Sequence, residues 1–310
     1  MKKVATREAY GKTLATLVQE HKEIVVLDAD LSKSTKTSDA KAVCPERHFN
    51  MGIAEGNMMS VAAGLAASGK TVFASTFAMF AAGRAFEQVR NSIGYPHLNV
   101  KVCATHAGLT VGEDGASHQA IEDIALMRSI PGMTVIQPAD DVETAAVINA
   151  MVTHKGPAYI RLGRMGVPTV NDVANYKFEI GKGIVMNQGS KVAILATGFM
   201  VSEALSAKEQ LAEEGINPTV VNIHTIKPID KELIIELAKT HDFLVTCEEH
   251  NVLGGLGGAV AEVLVQNYPT KVVMVGVEDT FGESGKPQQL IEKYGLSADH
   301  IVQVVKENLK

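Results

Sequence analysis

The sequence predicts an α/β protein of two domains, each a mainly parallel sheet with helices on both faces. Three observations carry that expectation. The strongly apolar runs are short and uniformly apolar, as strands buried on both faces are. The segments between them have helical periodicity. The alternation breaks once, around Gly166, in a chain of 310 residues, a length that suits about two domains of ~150 residues.

In the first block "IVVLDAD", "TVFAST", "NVKVCAT", "MTVIQPA" and "PAYIRLG" read as strands. Helices are expected over 9–20, 55–67, 79–93, 119–128 and 142–152. The stretch "MGVPTVNDVANYKFEIGKGIVMNQGS" then loses helical period and gains polar and turn residues, so it reads as a linker. The expected boundaries are 1–166 for the first domain, 167–189 for the linker and 190–310 for the second domain. In the second block "KVAILATG", "PTVVNIHTI", "FLVTCEE" and "KVVMVGV" read as strands, with helices over 201–214, 231–239 and 257–266. The closing "SADHIVQVVKENLK" reads as a helix capped by Ser297.

Composition narrows the function. The chain is 46% hydrophobic and 21% charged with a formal charge of −6, which argues against nucleic acid or acidic membrane surfaces as partners. No apolar run approaches the ~20 residues of a membrane helix. The opening "MKKVATREAY" turns polar too soon for a signal peptide. Cys44, Cys103 and Cys247 are odd in number, far apart and outside any CxxC pair, as expected of reduced thiols in a cytoplasmic protein.

One carboxylate stands out. Between Arg47 and Lys70 the only formal charge is Glu55, at the start of a helix of small and apolar residues. An isolated acid there costs several kcal/mol to bury unless it is paired or protonated, about as much as a fold gains from several good contacts. Other chemistry-bearing residues follow the strands: Asp30, Ser32 and Ser34 after the first, Phe77 and Phe80 after the second. His106, Asp114 and His118 lie in "HAGLTVGEDGASHQ" after the third, and Arg164 follows the fifth. Parallel strands end on one edge of a sheet, where open α/β folds bind ligands, so these loops are expected to share a crevice.

Other motifs are weak. "NVLGGLGGAV" departs from a dinucleotide loop and reads as a tight strand-to-helix connection. "EEH", Glu248 to His250, has no second acidic or histidine cluster at ligand spacing, so it reads as solvated loop charge and no metal ligands are expected in this chain. P-loop, nucleophile-elbow and HExxH motifs are missing.

The run "MGIAEGNMMSVAAGLAASGKTVFASTFAMF" followed by "THAGLTVGEDGASHQAIEDIALMRSIPGM" resembles the pyrimidine-binding domain of transketolase. The likeness extends from Ala5 to Arg164, and the second block is similar to the transketolase C-terminal domain. The resemblance implies thiamine diphosphate as cofactor. It gives Glu55 the role of the acid that hydrogen-bonds N1′ of the aminopyrimidine and helps generate the thiazolium ylide; a desolvated carboxyl suits proton sharing near neutral pH. It also implies that Phe80 stacks on the pyrimidine, that Phe77 lines the same pocket and that Asp30 lies near the cofactor. By the same resemblance Arg7, Ser34, His106 and Arg164 grip a sugar phosphate, Asp114 reads a substrate hydroxyl, and His118 sits beside the reacting carbons; His106 and His118 join Glu55 as catalytic candidates. Many transketolases carry another aromatic a turn after the Phe80 position, where this chain has Gly83, so a roomier pocket is expected.

Full transketolases also bear a G-D-G segment that holds the metal and the diphosphate. Here "EDG" at Glu113–Gly115 belongs to the substrate loop and no "GDG" occurs. The resemblance therefore implies the C-terminal half of a split transketolase of the pentose phosphate pathway, active with an N-terminal subunit that binds Mg²⁺ or Ca²⁺ and the diphosphate tail, in an α2β2 heterotetramer. Alternatives are a 2-oxoacid dehydrogenase E1 β subunit, a half similar to deoxyxylulose-phosphate synthase, or a non-catalytic scaffold. His106 disfavours the synthase, the Arg7, Ser34, His106 and Arg164 set disfavours the dehydrogenase, and Glu55, Phe80 and His118 disfavour the scaffold.

Overall fold

The computed structural model describes residues 3–309, folded as two layered α/β units. The first holds β1 (Lys3–Ala5), β2 (Ile24–Asp28), β3 (His48–Asn50), β4 (Thr71–Phe77), β5 (Val100–Thr105), β6 (Thr134–Ile136), β7 (Ala158–Arg161) and β8 (Gly166–Pro168). The second holds β9 (Ile184–Asn187), β10 (Lys191–Ala196), β11 (Thr219–Asn222), β12 (Thr225–Lys227), β13 (His241–Asn251) and β14 (Val272–Val277). Among the described residues these strands form a seven-stranded sheet ordered β12-β6-β7-β5-β4-β2-β3, a five-stranded sheet ordered β14-β13-β10-β11-β9, and a β1-β8 pair. Both larger sheets are parallel except at one edge, where β12 runs antiparallel to β6 and β9 antiparallel to β11.

The uniformly apolar strands are buried on both faces, as their composition implies. In β2, Ile24 and Val26 pack with Tyr10, Leu14 and Leu17 of the helix Thr6–Glu20 and with Val147 and Ile148 of the helix Asp141–Thr153. The alternate residues Val25 and Leu27 face Met58, Met59 and Ala62 of the helix Glu55–Ala67. A period of two thus feeds two cores from one strand. The C-terminal helix begins at Ala298 with Ser297 as its cap, the hydroxyl accepting from the His300 N–H. Cys44, Cys103 and Cys247 are free thiols, all buried.

Four local expectations need correction. "PTVVNIHTI" is two strands: β11 stays in the second sheet while β12 crosses to pair with β6 of the first. The crossing strand is anchored by Lys227 Nζ, which donates to the carbonyls of Arg128 and Ile130. The stretch 167–189 contains regular structure, since β8 ends and β9 lies within it. The expected helix over 79–93 is broken into a π-turn over Phe80–Arg84, one α-turn and a second π-segment over Val89–Gly94; such one-residue expansions recur at functional sites.

The fourth concerns "EEH". Glu248, Glu249 and His250 are buried, because β13 runs on past the sheet into the junction between the units. Glu248 caps the helix Leu256–Asn267, accepting from the N–H groups of Leu256 and Gly257 at 2.6 and 2.8 Å. A Cβ at Gly255 would lie 1.9 Å from Glu248 Oε2, which explains the glycine loop as a close approach. Beside it, Arg161 Nε donates to Asp123 Oδ2 at 2.8 Å, and Tyr159 donates to the same oxygen at 2.7 Å. Arg161 Nη2 reaches the carbonyls of Ala120 and of Glu249, 2.9 Å each, spanning both units. Removing one partner of a buried ion pair strands the other, so Arg161→Met should cost about 3–5 kcal/mol in urea unfolding. The double variant Arg161→Met/Asp123→Leu should recover much of that loss, and equal losses in the two would mean the pair is not the source.

Candidate active site

The C-terminal ends of β2, β4, β5 and β7 bring most of the singled-out residues into one chain of contacts. Glu55 opens its helix directly after the β3 turn and is 2% exposed. It is not isolated: Arg84 Nη1 donates to Glu55 Oε1 at 2.9 Å, while Oε2 is buried without a partner. The Arg84 guanidinium also lies over the Phe80 ring, 4.5 Å from its centroid. Phe80 stacks at 5.8 Å on Phe77 and meets the edge of His118 at 5.4 Å. Phe77 in turn stacks on His106 at 3.9 Å. The expected roomier pocket at Gly83 is narrowed by Met79, whose Cε lies 2.8 Å from where a Cβ would stand.

His106 links this aromatic row to the cations. Its Nδ1 bonds the Thr105 hydroxyl at 2.9 Å, and its backbone is left-handed with φ of 55°; Asp30 is also left-handed, with φ of 63°. Backbone strain of this kind tends to collect at functional sites. Burial first, then the charges of Arg7, Arg164 and His118, hold the His106 imidazole down at about 3. Arg7 Nη1 donates to the Ser34 carbonyl at 2.7 Å, and its Nε is buried without a partner. Arg164 pairs with Glu113 Oε2 at 3.1 Å and donates to the Val111 carbonyl. Glu55, Phe77, Phe80, His106, His118, Arg7, Ser34 and Arg164 therefore gather at one place. Asp30 and Asp114 are exposed on flanking loops, and no hydrogen bond or ion pair ties their carboxylates to this group.

Sequence reasoning missed several supports. Arg84 was hidden because its carboxylate partner is 29 residues away in sequence; it lies four residues after Phe80, on the same face of the turn, but nothing local marks Glu55 as its partner. Asp28, fully buried, accepts from Ser32 Oγ, Thr37 Oγ1 and His48 Nε2 within 2.8 Å and so fixes the loop that carries Asp30 and Ser34. The loop 106–122 is clamped by the second unit: the Thr110 N–H donates to Glu249 Oε1 at 2.6 Å, the Gln119 side chain donates to the Glu283 carbonyl at 2.9 Å, and the Asn251 N–H donates to the Ile121 carbonyl. At Gly108, with φ of 79°, a Cβ would lie 2.2 Å from Glu249 Cδ, so the clamp needs glycine there. Among the described residues no three His, Cys, Asp or Glu side chains are grouped to hold a metal ion, and no helix is long and apolar enough to cross a membrane.

The depressed His106 carries a pH signature. Between its ordinary value near 6.5 and the folded value of about 3, the unfolded chain binds more protons than the native one, so stability falls as pH drops below 6.5. At 1.36 kcal/mol per unit this amounts to about 2 kcal/mol at pH 5. Burial pushes Glu248 and Glu249 up to about 7, which works in the opposite sense, so the difference between variants is the clean measurement. His106→Gln should lose about 2 kcal/mol less than the wild type between pH 7.5 and pH 5 in urea unfolding. Identical pH dependence of the two would mean that His106 titrates normally in the fold.

The sequence and this geometry agree with known proteins. Residues 2–169 match the family described as "Transketolase, pyrimidine binding domain", and residues 181–301 match "Transketolase, C-terminal domain". The chain is similar to a split gene transketolase solved as an inactive β4 tetramer, with a TM-score of 0.91 and 56% identity over 99% of each chain. A conjectural transketolase C-terminal section of Methanocaldococcus jannaschii is 50% identical, over 98% of this chain and 96% of its own length. A 6-deoxy-6-sulfo-D-fructose transketolase subunit of a Clostridium species is 42% identical, over 97% of this chain and 93% of its own. Two matched domains in transketolase order, with a buried acid, an aromatic row and an arginine-flanked histidine at the strand ends, lead to one conclusion: this chain belongs to the transketolase family.

Proposed function

We propose that this chain is the C-terminal subunit of a split transketolase that moves a two-carbon ketol unit from a ketose phosphate to an aldose phosphate, with thiamine diphosphate shared between this subunit and an N-terminal one. The observation that carries the reading is Glu55: a buried carboxylate with one oxygen unpartnered, next to an aromatic face. Those two features fit a planar nitrogen heterocycle. Its ring nitrogen would meet the carboxyl, and its π face would stack on Phe80 with Phe77 beside it. When bound, thiamine diphosphate supplies the nucleophilic carbon that carries the two-carbon unit.

The protein's own groups then divide the work. Glu55 holds the aminopyrimidine and exchanges a proton at its carboxyl. His106, kept neutral, hydrogen-bonds a substrate oxygen without adding charge, and His118, edge-on to Phe80, serves the reacting carbons. Arg7, Ser34 and Arg164 receive the distal phosphate; its dianion competes with Glu113 for Arg164 and gains charge-assisted bonds. Asp30 and Asp114 are assigned to cofactor and substrate-hydroxyl contacts through the family resemblance. A 2-oxoacid dehydrogenase role is less well supported, since the Arg7, His106 and Arg164 cluster has no task on an uncharged tail. A sulfonated sugar is a second reading, supported by the Clostridium relative, because the same guanidiniums suit a sulfonate.

The diphosphate tail and its Mg²⁺ or Ca²⁺ need ligands from the partner, which makes α2β2 the natural assembly. The split gene relative, inactive as a β4 tetramer, supports the view that such a chain needs its partner for activity. Cofactor titration by calorimetry tests this. The chain by itself should bind thiamine diphosphate no tighter than about millimolar, since stacking and one hydrogen bond yield only ~3–4 kcal/mol. Co-expression with a subunit bearing the G-D-G segment should create tight, Mg²⁺-dependent binding and ketol transfer together. Micromolar, metal-dependent binding to the chain alone would overturn the split-enzyme reading.

The anion site has a separate test. In the assembled enzyme, Arg7→Ala and Arg164→Ala should each raise KM for phosphorylated sugars by roughly ten- to a hundredfold, from the loss of about 1.5–3 kcal/mol per charge-assisted contact. KM for unphosphorylated analogues should hardly change. Equal losses on both would assign the arginines to structure.

A further inference from the structure

The most informative group outside the assigned roles is Arg84. Its guanidinium makes two contacts at once: a 2.9 Å bond to Glu55 Oε1 and a position 4.5 Å above the Phe80 centroid. A guanidinium is planar, delocalised and weakly hydrated, so it stacks on aromatic faces while its N–H edge bonds a carboxylate. An aminopyrimidine protonated at its ring nitrogen offers the same pair of features, a π face and an N–H edge. The two partners of Arg84 are the two groups that the proposed function gives to the aminopyrimidine, and this inference rests on that reading.

We infer that Arg84 is an intramolecular competitor of the cofactor's aminopyrimidine: its guanidinium holds Glu55 and the Phe80 face until the heterocycle displaces it. The local build favours such a switch. Glu55 is fixed, 2% exposed in a helix start, whereas the Arg84 side chain is 52% exposed and has a path to solvent. Arg84 ends the π-turn Phe80–Arg84 and is followed by Ala85, whose N–H closes back on the Phe80 carbonyl. Residue 84 lies four positions after residue 80, on the same face of the turn, and a change of side-chain rotamer removes it without moving the backbone. The device also answers the cost of a buried acid: Glu55 has a charge partner in this chain, and exchanging that partner for the ligand never leaves the carboxylate stranded. The corresponding cost is affinity, since the ligand must break a charge-assisted bond to enter.

The competing alternative is that Arg84 is a positioning residue, pinning Oε1 so that Oε2 faces the ligand. The two ideas predict opposite signs. The test is titration of thiamine, which carries the aminopyrimidine but no diphosphate, into the full chain, followed by NMR shifts of the Phe77 and Phe80 rings. Arg84→Ala should bind thiamine about tenfold more tightly than the wild type. Arg84→Lys keeps the charge but loses the planar stack and should fall between them. Glu55→Gln in the Arg84→Ala background should lose the gain. Methylguanidinium, a replacement for the missing side chain, should compete with thiamine in Arg84→Ala and leave the wild type unaffected. Thermal melts of each variant report folding independently of the ligand.

Equal or weaker binding by folded Arg84→Ala would overturn the competitor role and leave the thiamine reading standing. Absence of thiamine binding in every variant, with methylguanidinium still shifting the Phe80 ring of Arg84→Ala, would show that the subsite takes a guanidinium but not an aminopyrimidine. That result would sink both the competitor role and the thiamine reading.

Discussion

Arg161 is a guanidinium almost without solvent, and the arrangement of the two units depends on how it is paired. Its charge is balanced by Asp123, and its Nη2 reaches carbonyls on the site loop and on β13. An unpaired cation in this position would cost more than most folds can bear. Burial works to raise the Asp123 carboxyl, but Arg161 outweighs it and holds it below the usual carboxylate range. One ion pair therefore fixes the helix after the site loop, the end of β7 and the second unit against one another.

That junction gives the second unit a mechanical role. None of the residues proposed to touch cofactor or substrate lies in it, yet Glu249, Asn251 and Glu283 hold the loop that carries His106, Asp114 and His118. A loop left to itself would sample many conformations and lose the near-fixed geometry that reaction needs. The strand β12, donated across to the first sheet, reinforces the same constraint from the opposite side. The left-handed backbone of His106 is tolerated because this surrounding network determines it.

Around Glu55 the electrostatics follow one logic. The acid sits at a helix N-terminus, where free N–H groups and the helix dipole favour negative charge, and Arg84 supplies a cation from one side. The Arg7, Arg164 and His106 group stands on the far side of the aromatic row. A carboxylate at one end of the Phe77 and Phe80 row and a cation cluster at the other give a site with a hydrophobic middle and polar ends, a division that suits a ligand with an aromatic ring next to a charged sugar.

The sequence by itself determined the fold class and family, and it singled out most of the residues that gather at the strand ends. Short, uniformly apolar, β-branched runs between helix-period segments read as buried strands, and a lone acid in an apolar helix start announces itself through its desolvation cost. Strand ends converge by the geometry of a parallel sheet, so the sequence alone groups His106, Phe80 and Arg164. Tertiary structure decided what depends on partners distant in sequence. Glu248 to His250 look solvated in a string of letters, and only the extension of β13 into the junction buries them. "PTVVNIHTI" holds no mark of where it changes sheets. Arg84 meets Glu55 across 29 residues of sequence, a contact that local propensity does not encode.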